Sequence, residues 1–196
     1  MSHSEAEGVQ IRKKRTTSAR IAASAARLAT EHGVTGITVD RIAADAEVAR
    51  ATFFRYYDAK ENAVAAGITG PWLTLVIDAI ARQPPHLTAI DAIVAAFTEL
   101  ADSFPDHYRQ IRELAQLTRD STTLDAWTLR AYRRYEDAIA ALIAGRIPGL
   151  ADDDPRPRMI AALTMAAVRI SLDDWVSDRG SLPDLIHRAL RSITIT

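Results

Sequence analysis

Residues 49–60, ARATFFRYYDAK, gather groups that can grip a nucleic acid. They comprise the guanidiniums of Arg50 and Arg55, the hydroxyls of Thr52, Tyr56 and Tyr57, the rings of Phe53 and Phe54, and the ammonium of Lys60. A guanidinium can donate two parallel hydrogen bonds to guanine O6 and N7, while hydroxyls and ammonium groups hold phosphate. The same residues would also suit an ordinary pair of bundle helices, with the aromatics as core. Elsewhere the chemistry is thinner. The carboxylates Asp152, Asp153 and Asp154 fall in a proline-containing loop, and neither they nor Asp173 and Asp174 have a partner base at useful spacing. The five histidines (His3, His32, His86, His107, His187) are scattered without HExxH or HxH spacing, so no metal site is expected. There is no cysteine, which excludes disulfides, thiolate metal sites and thiol nucleophiles. No GxSxG, P-loop or dinucleotide fingerprint occurs, so neither an enzyme nor a cofactor is expected.

Charge is unevenly distributed. The net charge is −1, yet residues 1–60 carry a balance of +3 and residues 61–196 one of −4. Arg12, Lys13, Lys14, Arg15, Arg20 and Arg27 follow one another between Gly8 and Thr30 with no acid among them. Such a run suits a nucleic-acid-binding arm and equally a solvated tail. The N-terminus lacks an apolar leader, and no run reaches the ~18 apolar residues of a membrane span. The expectation is a cytoplasmic protein with no membrane partner.

The elements that must hold these residues read as helical throughout, with 48% hydrophobic residues for a core. Residues 1–15 are polar and are expected to form a flexible arm. Thr17 opens a helix lined by Ile21, Ala25, Leu28 and Ala29, which Gly33 stops. Thr38 caps a short helix with Val39, Ile42, Ala43 and Ala46 inward, and a second short helix covers roughly 49–56. Asp58 then begins a capping box, DAKE, before a longer helix that Gly67 and Gly70–Pro71 should break or kink. Further helices are expected near 71–82, 88–102, 105–118, 122–145, 155–178 and 182–193. The fold class is all-α, about nine helices, with a compact N-terminal unit (16–62) and a larger body (63–196).

Two short helices around a tight break, with a third behind, make a helix-turn-helix. In that arrangement Ile42, Ala46, Val48 and Phe53 pack the helices, with Tyr57 also read as core, while Arg50, Thr52, Phe54, Arg55 and Tyr56 project outward. Lys60 adds to it. In the first turn of a helix the macrodipole mildly disfavours a cation, whereas a phosphate there could use both free N–H groups and the ammonium.

Residues 16–64 resemble the DNA-binding domain of the TetR family of bacterial regulators. The resemblance lies in EHG at the end of the first long helix, TVDRIAADAEV as second helix and turn, ARATFFRYY as recognition helix, and DAKENAV opening the fourth helix. It implies contacts to a double-stranded DNA operator from Thr38, Arg50, Ala51, Thr52, Phe54, Arg55 and Tyr56, with Lys60 on phosphate. Glu47 stands where the family places a turn glycine, Ala49 where it favours a Ser or Thr cap, and Phe54 where tyrosine is common. TFFRYY, with LRAYRRYEDAIAALIAGRIPGL and DDPRPRMIAAL, is also similar to an actinobacterial subgroup that includes mycofactocin-type regulators. That likeness favours a lipophilic or acyl-CoA-like effector.

The resemblance further implies a homodimeric body with a small-molecule pocket, hence a repressor released from a palindromic operator by its effector. Broad apolar faces on the last two helices place the dimer interface at Met165, Val168, Leu172, Leu185, Ile186 and Ala189; the same faces would also serve as intrachain core. Trp72, Phe97, Phe104, Tyr108, Trp127 and Trp175, with His107 and Arg130 as polar anchors, are the residues expected to line the pocket. The rival reading is a helical interaction or ligand-binding module without DNA binding, which predicts no salt-dependent association with duplex.

Overall fold

The computed structural model describes residues 3–101, 108–120 and 122–193, and these form helices and turns without a strand. The helices are α1 (His3–His32), α2 (Val39–Asp45), α3 (Arg50–Phe54), α4 (Lys60–Arg82), α5 (Ala89–Ala101), α6 (Tyr108–Asp120), α7 (Thr122–Ile143), α8 (Arg156–Val176) and α9 (Leu182–Arg191). They fall into two compact units, Met1–Gly70 and Pro71–Thr196.

The first unit is built on α1, which buries Ile21, Ala22, Ala25, Leu28 and Ala29 along one face. Against them lie Ile37, Ile42, Ala46, Phe53 and Val64, all at most 1% exposed. Thr38 caps α2 by accepting a hydrogen bond from the Arg41 N–H at 3.2 Å. The turn after α2 closes with the Glu47 N–H donating to Ala44 O and the Val48 N–H to Ala43 O, the paired bonds of a Schellman motif. Glu47 sits there at φ 51. The turn therefore keeps the left-handed backbone without glycine, at a cost of about 1–2 kcal/mol. Asp45 on α2 pairs with Arg27 on α1, and hydrogen bonds from Arg27 and Ser24 hold its carboxyl below the usual carboxylate range.

Three expectations change here. Helix α1 extends back to His3 where a flexible arm was expected, so the basic run from Arg12 to Arg27 is helical. Helix α4 starts at Lys60, with the Ala59 carbonyl accepting from Ala63 N–H, so Ala59 rather than Asp58 takes the cap position. It then runs unbroken through Gly67 and Pro71. Gly67 is a contact residue: a Cβ there would lie 2.1 Å from Ala22 O and 2.7 Å from Ala26 Cβ, so its lack of a side chain is what lets α4 approach α1. The boundary between the units falls at Gly70–Pro71, inside this helix.

By length and apolar composition α4 is the one described helix that could cross a bilayer, although no continuous apolar run was expected. Its side chains are disposed as in a core helix, with Ala63, Val64, Ala65 and Ile68 buried in the first unit and Val76, Ala79 and Ile80 in the second.

In the second unit α8 packs on α7 and α9, α9 on α5, and α6 against α7 and α8. The core contains Ile80, Ile93, Ile139, Ile143, Leu182 and Leu190. Helix ends are closed by side chains: Thr88 Oγ1 accepts from Asp91 N–H at 3.1 Å, and Ser181 Oγ from Asp184 N–H at 3.3 Å. Asp154 accepts from the backbone N–H of Arg156 at 2.8 Å and also takes its guanidinium. Arg146 donates to Gln83 O and Pro84 O at 2.8 and 2.7 Å, compensating carbonyls left over at the end of α4.

Part of the expected dimer face is taken up by this packing. Met165, Leu185 and Ile186 are 4%, 6% and 3% exposed and belong to the core of their own chain, because α9 lies on α5 and α8. Leu172 and Ala189 pack against the same core, and Val168 is half-buried. The opposite side of α8 instead exposes Met159, Leu163 and Ile170. Their spacing places them within a narrow arc of the helix.

Two side chains test this packing. Gly67→Ala should destabilise the first unit by about 1–3 kcal/mol through overpacking, despite alanine's better helix propensity. Gly145→Ala, with nothing within 4 Å of the added Cβ, should be neutral or slightly stabilising. Urea unfolding of the two variants reads both signs. Tyr132 supplies a pH test: burial, reinforced by nearby Asp173, pushes its hydroxyl up to about 12. Its ionisation then favours the unfolded chain, so stability is intact below pH ~10 and falls as pH rises toward ~12, by up to about 2–3 kcal/mol. Tyr132→Phe should remove that part of the alkaline loss in unfolding curves taken from pH 9 to 12.

Candidate nucleic-acid interface

Helix α3 has only the five residues RATFF, and its N-cap Ala49 makes no side-chain cap bond. So short a helix has no stability of its own. It is held by Phe53, which is fully buried and meets Tyr57 at 5.9 Å between ring centroids. Tyr57 in turn bonds through its hydroxyl to Ser18 Oγ at 2.9 Å and donates to Ser18 O at 3.1 Å, tying the end of the recognition segment to α1.

With Phe53 turned inward, its neighbours turn outward. Arg50, Ala51, Phe54 and Arg55 are exposed, Thr52 and Tyr56 half-buried. Phe54 is 45% exposed, unusual for a large apolar ring, and stands edge-on to Phe53 at 5.4 Å. The Arg50 guanidinium lies 5.3 Å from the Phe54 ring centre and that of Arg55 5.5 Å from Tyr56. Two guanidiniums steadied on aromatic faces beside partly covered hydroxyls can address base edges and phosphates together.

Thr38 is exposed, and its oxygen accepts the α2 cap bond while its O–H proton can still be donated to phosphate. Lys60, the expected phosphate ligand, also has partners within the chain. Its ammonium donates to Ile37 O at 2.7 Å and Thr35 O at 3.5 Å, carbonyls of the segment preceding α2. Those carbonyls compensate a cation that the start of α4 would otherwise disfavour, and they leave one N–H for phosphate. The residue that sequence reasoning missed is Asp40. It lies in the first turn of α2, where an acid is ordinary, yet its Oδ1 accepts from Arg50 Nη1 at 2.5 Å. Nothing in the spacing of Asp40 and Arg50 signals this pair, which forms only once the α2–α3 turn folds.

The residues expected around an effector sit in the second unit. Trp72 and Phe97 are half-buried against its core. Trp127 is half-buried with Arg134 at 5.8 Å from its ring, and Trp175 is buried with Arg112 at 5.4 Å. Arg130 is exposed. Phe104 and His107 lie outside the described residues, as does the side chain of Tyr108 at the start of α6. Sequence reasoning missed Thr128, one turn from Tyr132 on α7; its Oγ1 is buried with no hydrogen-bond partner among the described residues. An unpaired hydroxyl of that kind costs about 1–3 kcal/mol unless something fills its valence. Tyr135 is buried beside Tyr132 and its hydroxyl is likewise pushed up by burial.

Comparison with known proteins agrees with this architecture. Residues 16–66 match the model of bacterial regulatory proteins of the tetR family, and residues 87–196 match the MftR C-terminal domain. A Mycobacterium tuberculosis relative, MftR, whose name assigns it to transcriptional regulation of mycofactocin biosynthesis, is 29% identical over 171 residues, covering 85% of this chain and 83% of that one. The HTH-type transcriptional regulator TcmR of Streptomyces glaucescens is 28% identical over 178 residues, covering 86% and 76%. Among solved structures, the fold is similar to Thermus thermophilus FadR, a TetR-family transcriptional repressor in complex with lauroyl-CoA. That match has a TM-score of 0.66 at 19% identity and covers 88% of this chain and 90% of that chain. The fatty acid degradation regulator FadR of Bacillus halodurans has a TM-score of 0.53 at 17% identity, covering 89% and 93%. With an exposed recognition helix on a buried three-helix core and a family model spanning more than half its length, the chain belongs to the TetR family of bacterial regulatory proteins and is a transcriptional regulator with an MftR-type C-terminal domain.

Proposed function

We propose that two copies of this chain bind a palindromic operator as a cytoplasmic repressor, and that a lipophilic effector held in the second unit releases them. The observation that carries the proposal is the outward face of α3, where Arg50, Phe54 and Arg55 remain exposed although Phe53 between them is fully buried. A buried core helix would not leave a phenylalanine and two arginines uncovered together. Arg50, at the first position of the helix, is assigned to a base edge; Thr52, Tyr56, Thr38 and Lys60 are assigned to phosphate.

Dimerisation is assigned to the exposed side of α8, through Met159, Leu163 and Ile170, in place of the α9 residues that the chain buries within itself. Palindromic half-sites lie about 34–36 Å apart or at multiples of that, so two recognition helices must be held at a fixed spacing. Helix α4 carries the chain from one unit into the next. A coupling of about 1–3 kcal/mol between effector and operator suffices for regulation. The half-buried rings of Trp72, Phe97 and Trp127 favour an apolar ligand body, and the unpaired Thr128 hydroxyl favours a single polar anchor. The lauroyl-CoA bound to the similarly folded FadR supports the same ligand class.

Operator selection with purified protein, followed by affinity measurements across a salt series, tests the DNA reading. Arg50→Ala should lose about 1–3 kcal/mol on the selected operator and little on scrambled duplex. Lys60→Ala should weaken both alike and lower the salt slope by about one ion per half-site. In the same assay, long-chain acyl compounds should release the operator where sugars and metal ions do not. Salt-independent binding, or the reverse pattern for the two variants, would sink these assignments.

The dimer reading has its own test. Leu163→Arg should lower the sedimenting mass and the operator affinity together while leaving each chain folded, because Leu163 is 41% exposed. Retention of dimer mass with normal affinity would place the interface elsewhere.

A further inference from the structure

Asp40 is an acid in a surface whose partner, in the reading above, is a polyanion. It is 69% exposed and Arg50 58%, and an ion pair so open to water contributes little to folding. Its fold role is weak and its electrostatic effect on DNA is adverse. The geometry nevertheless gives it a definite task. Asp40 Oδ1 takes a hydrogen bond from Nη1 of Arg50 at 2.5 Å, and the Phe54 ring lies 5.3 Å from the centre of the same guanidinium. Arg50 is thus held at one nitrogen by a carboxylate from α2 and on one face by an aromatic from its own helix.

We infer that Asp40 is a positioning residue for base readout: it pins Nη1 of Arg50, so that the remaining edge, Nε–H with Nη2–H, is presented to guanine O6 and N7. That edge carries two parallel donors, which is what the guanine acceptor pair requires. An unpinned arginine has many rotamers and can drop onto the nearest phosphate. With Nη1 paired to a carboxylate, phosphate contact at that nitrogen is opposed by like charge. Asp40 therefore exchanges general affinity for discrimination. Phe54 adds a second constraint, and the phenylalanine suits this task because its face receives the guanidinium while no hydroxyl competes for Asp40. The inference rests on α3 being the DNA-reading helix.

The experiment uses the full-length protein, the duplex recovered by selection from random DNA, its single-base-pair variants and a scrambled duplex. Asp40→Ala should reduce discrimination at one guanine position per half-site by about tenfold, within the range a bidentate contact supplies. Binding to scrambled duplex at low salt should stay level or rise about two- to fivefold, because a negative charge has left the interface. Asp40→Asn, which keeps an acceptor oxygen, should fall between wild type and Asp40→Ala in discrimination. In an Arg50→Ala background, Asp40→Ala should cause no further loss at that position, since the two act as a unit. Equal change on operator and scrambled duplex, or full discrimination retained by Asp40→Ala, overturns the inference and leaves Asp40 as a general electrostatic brake. A further loss in the Arg50→Ala background overturns it as well. If the wild-type protein binds no duplex, the reading beneath it fails, an outcome distinct from any of these.

Discussion

Burial of Phe53 is the constraint on which the exposed chemistry depends. A five-residue helix without a side-chain cap forms only if tertiary contacts hold it, and Phe53 is the fully buried side chain that α3 supplies. With that ring inside, Arg50, Ala51, Phe54 and Arg55 are left exposed around it. Tyr57 completes the anchor by bonding Ser18 on α1. The rest of the first unit supports this anchor. The close approach of α4 to α1 at Gly67 and the Asp45–Arg27 pair between α2 and α1 hold the helices of this unit together.

The surface proposed as the interface is prepared electrostatically as well as sterically. Its cations have partners before any DNA arrives: Arg50 has Asp40 and a ring face, Arg55 a ring face, and Lys60 two backbone carbonyls. Partners of this kind lower the entropy that side chains lose on binding, because their rotamers are already restricted. They also mean that affinity cannot be read from the number of basic residues. An arginine already paired with a carboxylate contributes less to general attraction and more to orientation.

The two faces of α8 differ in burial. One face, with Ala161, Met165 and Trp175, is core; the other, with Met159, Leu163 and Ile170, is apolar and open. A monomeric surface seldom exposes such a stripe without a use for it. Inside the unit, the hydroxyls of Thr128, Tyr132 and Tyr135 lie on the inward side of α7, in surroundings apolar enough to suppress ionisation of both tyrosines.

The sequence alone determined the helical class, the helix-turn-helix and its family, because these rest on local period, caps and a contiguous motif. It also separated Phe53 and Tyr57 from Phe54 and Tyr56, since residues four apart share one helical face. Tertiary structure decided whatever depended on which face meets which neighbour. Gly67 read as a helix breaker and proved to be a contact with α1; the face holding Leu185 and Ile186 read as interface or intrachain core, and the two side chains are buried where α9 packs on α5 and α8. Lys60 read as a phosphate ligand, and folding also brings it the carbonyls of Ile37 and Thr35, as it brings Asp40 to Arg50. A periodic pattern says that a face is apolar without saying what covers it, and a charge in a sequence does not disclose the partner that folding brings beside it.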